Sequence, residues 1–333
     1  MIVKYNNYSS SYSSEIIKLW NSEVGYIYPI TKEMFNQNIN ECKYFGNEVS
    51  FVAIVGKKIV GFLLGKIYDN DPLMSKYINS SFISLIYVSR NYRKNGIGSK
   101  LLEMFESCIK FRKITKIMIG SDLDNFFPGI PNDFDNLTDA FFKKRGYTVS
   151  YYTHDLVKKL TRNDVLVYNS YVKDNKTNFE IRYCTKEDEQ KVKEFFEKCF
   201  YGRWYNEAIE YFENNEINDE YLLAFDNDKV VGFLRLNKQK IKKISYNIMW
   251  SKRFDKLLGV GPLGVDADYR KNGIATRLLL KGIADGAVEE FSHAMIDWTG
   301  LVTYYQKFGF ETWKCYQYAN KIINYEEEKW KKF

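Results

Sequence analysis

The stretch DYRKNGIATRLL, residues 268–279, and its near copy NYRKNGIGSKLL, residues 91–102, are the parts of this 333-residue chain best suited to holding an anion. In each, an apolar run passes through Arg-Lys-Asn-Gly into a segment with apolar residues at helical spacing. These are Leu101, Leu102, Phe105 and Ile109 in one copy, and Leu278, Leu279, Ile283 and Ala287 in the other. A strand that runs straight into a helix leaves the first helical N–H groups without partners, aimed where the helix dipole favours negative charge. Gly96 and Gly273 let the backbone approach a ligand closely. Gly98 and Ala275 keep the helix start uncluttered, Arg93, Lys94, Arg270 and Lys271 bring positive charge, and Asn95, Ile97, Asn272 and Ile274 complete the two turns. The chemistry this suits is capture of a pyrophosphate. No GxxxxGK[ST] loop is present, and neither turn completes a dinucleotide GxGxxG.

The elements that would position these turns also occur twice. Arg93 and Arg270 lie 177 residues apart, a spacing that fits a duplicated domain and is far too long for a solenoid. KKIVGFLLGK (57–66) matches DKVVGFLRLNK (228–238) as the second strand of a hairpin, and FFKKRGY (141–147) matches YYQKFGF (304–310) as a short helix closed by glycine. Each half reads as a first strand (2–5; 179–184) and a helix starting at Ser14 or after Thr185. Two hairpin strands follow, then an apolar strand (81–89; 257–265), the Arg turn and its helix, a further strand (113–122; 293–299) and the short helix. The expected class is α/β in the mixed sense, with each domain a mixed, mainly antiparallel sheet flanked by helices. The polar, aperiodic segment 166–178 places the boundary, giving domains 1–165 and 179–333. The halves differ most by an insertion in the first, around NFFPGIPNDFDN (125–136).

RKNGIG (93–98) and RKNGIA (270–275) both satisfy Q/R-x-x-G-x-G/A, and YQKFGF (305–310) carries Y-x-K-x-G-F. On these motifs the chain resembles the GNAT superfamily of acetyltransferases across nearly its whole length. The resemblance implies acetyl-CoA as cofactor, lying where the fourth and fifth strands splay apart, with its pyrophosphate on the Arg turn. It also implies a bulge near the end of the fourth strand, around Tyr87 and Val88 or Gly264 and Val265, freeing amides near Val88 or Val265 for the acetyl group. Tyr305 occupies the family's tyrosine position and is expected to act as general acid toward the CoA sulfur. Asp297, in MIDWTG beside the splay, is the candidate to take the amine proton. Arg203, Trp204 and Tyr205 fall where the family places its substrate-covering helices and are expected to line an acceptor pocket. In the first half, Phe142 stands at the tyrosine position and has no proton to donate. Catalysis is therefore expected in the second half. The first half is then degenerate, structural or a second CoA site, and a CoA-binding scaffold without turnover is the alternative for the whole chain.

Composition narrows the partners. A net charge of +7 is spread without a basic block, which argues against nucleic acid. Five scattered cysteines without CxxC spacing and two histidines argue against a disulfide framework or a metal site. No apolar run reaches membrane-spanning length and the opening residues form no signal peptide, so a cytoplasmic protein is expected. The acceptor is expected to be a small-molecule or peptide amine, with an amino sugar slightly favoured because similar tandem proteins are sometimes joined to amino-sugar hydrolases. Monomer and homodimer are both open.

Overall fold

The computed structural model describes residues 1–68, 77–134, 136–213, 220–238 and 243–325. The first half of the sequence forms β1 (Lys4–Asn7), α1 (Ser13–Glu23), α2 (Lys32–Phe35), β2 (Phe51–Val55), β3 (Lys58–Ile67), β4 (Ser80–Val88), α3 (Ile97–Phe111), β5 (Lys116–Ile119), β6 (Ile130–Pro131), α4 (Asn136–Lys143) and β7 (Thr148–Lys159). The second forms α5 (Asn163–Asp174), β8 (Glu180–Tyr183), α6 (Glu189–Cys199), α7 (Arg203–Glu213), β9 (Tyr221–Asp226), β10 (Lys229–Asn237), β11 (Leu257–Val265), α8 (Ile274–Val288), β12 (His293–Thr299), α9 (Val302–Gln306) and β13 (Glu311–Ile322).

Two compact units result, each with the same sheet pattern. In the first, β1, β2, β3 and β4 are antiparallel neighbours, β4 pairs β5 in parallel, and β13 closes antiparallel on β5. In the second, β8, β9, β10 and β11 are antiparallel neighbours, β11 pairs β12 in parallel, and the end of β7 closes antiparallel on β12. The last place in each sheet is thus filled by a strand from the other half of the sequence. The units therefore do not follow the linear boundaries 1–165 and 179–333: the strand residues from His154 to Lys159 group with the second unit, and those from Lys314 to Ile322 with the first. The physical reason is that both closing strands follow a short helix and a glycine and carry the same aromatic-rich pattern. Alternation fixes which face a strand buries, not which β5-like edge it joins.

The helices after the Arg turns bury the residues their periodicity marked. Ile97, Leu101, Leu102, Phe105 and Ile109 of α3 pack into the first unit's core, and Leu278, Leu279 and Ile283 of α8 into the second's. Gly282 and Gly286 let α8 lie close on its sheet: a Cβ there would stand 2.8 Å from Leu234 and 2.5 Å from Leu258. The segment expected to be a linker is instead mostly helix α5. Asp164 fixes its start by accepting from the Thr161 amide (2.8 Å) and pairing with Lys158 (3.0 Å). It is the helix's one buried residue, while Leu166 and Val167 are exposed, which is why no apolar period marked it. Among the described residues, no helix is long and apolar enough to cross a membrane.

Candidate active site

The two Arg turns have nearly the same backbone. Lys94 and Gly96 sit at φ 62° and 77°, and Lys271 and Gly273 at 68° and 75°, so each turn passes twice through the left-handed region before its helix begins. The first helical bonds run from the Lys100 amide to Gly96 O (2.9 Å) and from Arg277 to Gly273 O (3.0 Å). The amides before them at the two helix starts point outward. The side chains divide the remaining work. Arg93 Nε donates to Val88 O (3.0 Å) and Arg270 Nε to Val265 O (3.4 Å), tying each turn to the end of its strand. Asn95 and Asn272 brace the turn from inside by donating to Tyr92 O and Tyr269 O. What remains for an anion is the row of amides at 96–98 or 273–275, the exposed Lys94 or Lys271, and a first helical turn without acidic residues. That donor set fits a pyrophosphate.

The bulges lie earlier than expected. Leu64 and Gly65 face Leu85 and Ile83, leaving Ser84 as the extra residue of β4, and Leu234 and Leu236 face Leu263 and Val260, leaving Gly261 and Pro262 on β11. Proline has no N–H for the ladder, so β11 breaks there and not at Gly264 and Val265. The carbonyls of Val88 and Val265 hold the two arginines, and the expected bulge at Tyr87 and Val88 or Gly264 and Val265 is corrected to Ser84 and to Gly261 and Pro262.

At the second bulge, Asp297 comes into position. A Cβ on Gly261 would stand 3.9 Å from its Oδ1. The Gly261 carbonyl is itself fixed by Asn237 Nδ2 (2.7 Å) and Asn247 Nδ2 (3.3 Å). Behind Asp297 the chain turns sharply. Trp298 takes φ 46° and its amide donates to the fully buried Asp155 (3.0 Å), whose other oxygen accepts from Tyr246 (3.2 Å). A non-glycine residue in that region is held only when its surroundings over-determine it. Burial pushes the Asp297 carboxyl up to about 6, opposed by the nearby Arg203 guanidinium and aided by Glu207. It thus changes charge near neutrality.

Tyr305, on α9, is 8 % exposed beside Tyr304 and Phe310. Burial, then the charges of Tyr304 and Asp297, raise its phenol well above the ordinary range. It stays protonated at neutral pH. Arg203 of α7 pairs with Glu207 (2.8 Å) and lies over the Trp298 ring, so the structure brings it to the Asp297 group. Trp204 packs instead against Phe200 and Phe233, and Tyr205 stacks on Tyr201. Sequence reasoning missed what surrounds Arg203. Glu207 also faces Arg235 (3.6 Å), which pairs with Glu220 (3.4 Å), and Arg235 Nε, Glu220 Oε1 and Asn247 Oδ1 are buried without a hydrogen bond. These unpartnered atoms mark a polar cluster next to Asp297, spread over α7, β10 and two loops. No spacing rule connects such positions; the one local signal was Arg235 inside the apolar run of β10.

The first unit has other residues at these positions. By strand register Gly120 takes the place of Asp297, two residues beyond Met118 as Asp297 is beyond Met295. Phe142, 3 % exposed, stands edge-on to Phe141 and Tyr147. The insertion folds inward, where Phe127 and Phe134 join Trp20 and Tyr28 in one ring cluster; Asp135 lies outside the described residues.

Comparison with known proteins follows the same division. A family model described as "Acetyltransferase (GNAT) family" matches residues 15–127, and one described as "Acetyltransferase (GNAT) domain" matches 180–313. The chain is a tandem member of the GNAT family. No curated protein sequence matches it. Among solved structures it is similar to the GCN5-related glucosamine N-acetyltransferase region of a fungal multi-domain GH3 β-N-acetylglucosaminidase. There the TM-score is 0.82 at 20 % identity, covering 96 % of this chain but 38 % of that one. A GCN5-related N-acetyltransferase from Sphaerobacter thermophilus gives TM-score 0.66 at 14 % identity, covering 97 % and 96 % of the two chains. A tandem GNAT protein from the clavulanic acid biosynthesis pathway gives 0.63 at 14 %, covering 96 % and 98 %. At these identities the shared property is the fold.

Proposed function

We propose that this tandem GNAT protein transfers an acetyl group from acetyl-CoA to a primary amine, with the second unit catalytic and an amino sugar as acceptor. The observation that carries the reading is Asp297, with its carboxyl poised near 6 at the β11 bulge and Tyr305 near it. Bound acetyl-CoA would supply the activated thioester, with its pyrophosphate on the amides of 273–275. Asp297, ionised above about pH 6, accepts a proton from the acceptor ammonium, and Arg203 and Asn247 orient it. Tyr305 keeps its proton, because a phenol with so raised a pKa is a weaker acid than a thiol of about 8.5. Its part is a hydrogen bond to charge growing on sulfur, not complete proton transfer. The polar cluster of Arg203, Glu207, Arg235 and Glu220 suits an acceptor rich in hydroxyl groups, and the similarity to the fungal glucosamine N-acetyltransferase region supports an amino sugar. For the first unit, an open turn at Gly96 without an acid or a tyrosine favours anion binding without turnover.

The test is thiol release from acetyl-CoA with glucosamine, a simple alkylamine and a lysine peptide as rival acceptors. Turnover fastest with glucosamine supports the reading; turnover with none of the three contradicts it. Tyr305→Phe is expected to lower kcat about 10- to 100-fold, as loss of one hydrogen bond to developing charge does, with KM for acetyl-CoA nearly unchanged. A parallel rise in KM would show that Tyr305 acts through binding instead.

A further inference from the structure

We infer that the second unit holds the 3′-phosphomonoester of the cofactor's adenosine in a cavity beside its Arg turn, and that the segment after α5 supplies one wall of this subsite. The inference rests on acetyl-CoA being the cofactor. A cavity of about 300 Å³ lies against the turn, lined by Tyr171, Asn175, Lys176, Lys271, Gly273 and Arg277 among others. It contains three cationic side chains and no carboxylate. The Arg277 Nη1 donates to Asn175 O (3.3 Å), clamping the segment to α8, while its Nε is buried and makes no hydrogen bond. The Tyr171 hydroxyl stands 3.1 Å from where a Cβ on Gly273 would lie, directly over the turn.

Direction decides which end of the cofactor belongs here. The thioester end must reach Asp297 on β12 and Tyr305 on α9, yet no residue lining the cavity comes from β11, β12 or α9. The lining comes from α5, the segment after it, β8, the turn and the start of α8. With the pyrophosphate on 273–275, the adenosine end is the one left on this side. Its phosphomonoester carries close to two negative charges at neutral pH, which matches a wall of Lys176, Lys271 and Arg277. The corresponding turn of the first unit is uncovered among the described residues: a Cβ on Gly96 would meet nothing within 4 Å.

The experiment titrates CoA and 3′-dephospho-CoA into the full-length protein in a Gly96→Glu background, with and without Lys176→Ala or Arg277→Ala. Lys176 is exposed, so its removal leaves the fold intact. CoA is expected to bind about tenfold more tightly than the dephospho form, as charge-assisted hydrogen bonds to one phosphate allow. Lys176→Ala should shrink that preference to about threefold or less while leaving dephospho-CoA affinity unchanged, and Arg277→Ala, which also releases the clamp on Asn175, should shrink it at least as far. Equal binding of the two ligands, or equal weakening of both by the variants, would overturn the inference and leave the cofactor reading standing. Binding of neither ligand would overturn the cofactor reading itself.

Discussion

Asp297→Asn is expected to lower kcat/KM by about 10²- to 10³-fold, the range for losing a positioned general base. The substitution keeps the shape and the nearby Asn247 and Arg203, and removes only the site that accepts a proton. In the unmodified protein, activity should rise with pH through about 6, where the carboxyl ionises. The asparagine variant should lose that inflection. Stability should move the other way. The folded protein holds the Asp297 proton up to about pH 6, against an ordinary 3.8, so it binds more protons than the unfolded chain between these values. Stability from this group therefore falls as pH rises through that window and stays lower above it. Asp297→Asn should accordingly be more stable by about 1–3 kcal/mol at pH 7, with no gain at pH 4. Thermal unfolding at the two pH values checks this, and a variant that is less stable at pH 7 would contradict it.

Lys66→Ala is expected to destabilise the first unit by about 3–5 kcal/mol, the effect of stranding a buried charge. Lys66 and Asp122 are both fully buried and 2.6 Å apart. The ammonium also donates to Leu123 O (2.7 Å) and Asp124 O (2.9 Å), and Ser84 Oγ at the bulge donates to Asp122 (2.5 Å). Burial alone would lower the Lys66 pKa, but Asp122 outweighs it and holds the ammonium charged. Removing the lysine leaves Asp122 as a buried, unpaired carboxylate. Lys66→Met combined with Asp122→Asn should cost clearly less than Lys66→Ala, because no charge is left behind. Denaturant unfolding separates the two outcomes; a Lys66→Ala cost under about 1 kcal/mol would contradict the assignment. Through Ser84 the pair sits at the first unit's bulge, the place where the second unit has Gly261 beside Asp297.

The parts of the fold readable in the sequence were those set by local backbone demands. Gly96 and Gly273 are needed at positive φ, and the boundaries of β11 and β12 match the expected 257–265 and 293–299. Thr185 was legible as a helix start, and it forms a capping box with Asp188. What was not legible depends on partners far along the chain. The exchange of β7 and β13 leaves no trace in either strand's alternation. The α5 helix buries almost nothing of its own and is held by Asp164 and Arg277 at its ends. The bulge at Gly261 and Pro262 was readable in principle, because a proline inside a strand marks a break in the ladder. Glu207, Arg235 and Glu220 come together only when α7 lies across β10, and single charged residues in apolar runs do not announce each other.

The most direct measurement compares thiol release from acetyl-CoA for Gly273→Glu and Gly96→Glu in the full-length chain. A carboxylate at the helix start repels an anion where the dipole and amides would attract one. The expected result is loss of more than about 100-fold in kcat/KM for acetyl-CoA with Gly273→Glu, and a change within about threefold with Gly96→Glu. Turnover that survives Gly273→Glu and disappears with Gly96→Glu would move catalysis to the first unit and contradict the roles assigned to Asp297 and Tyr305.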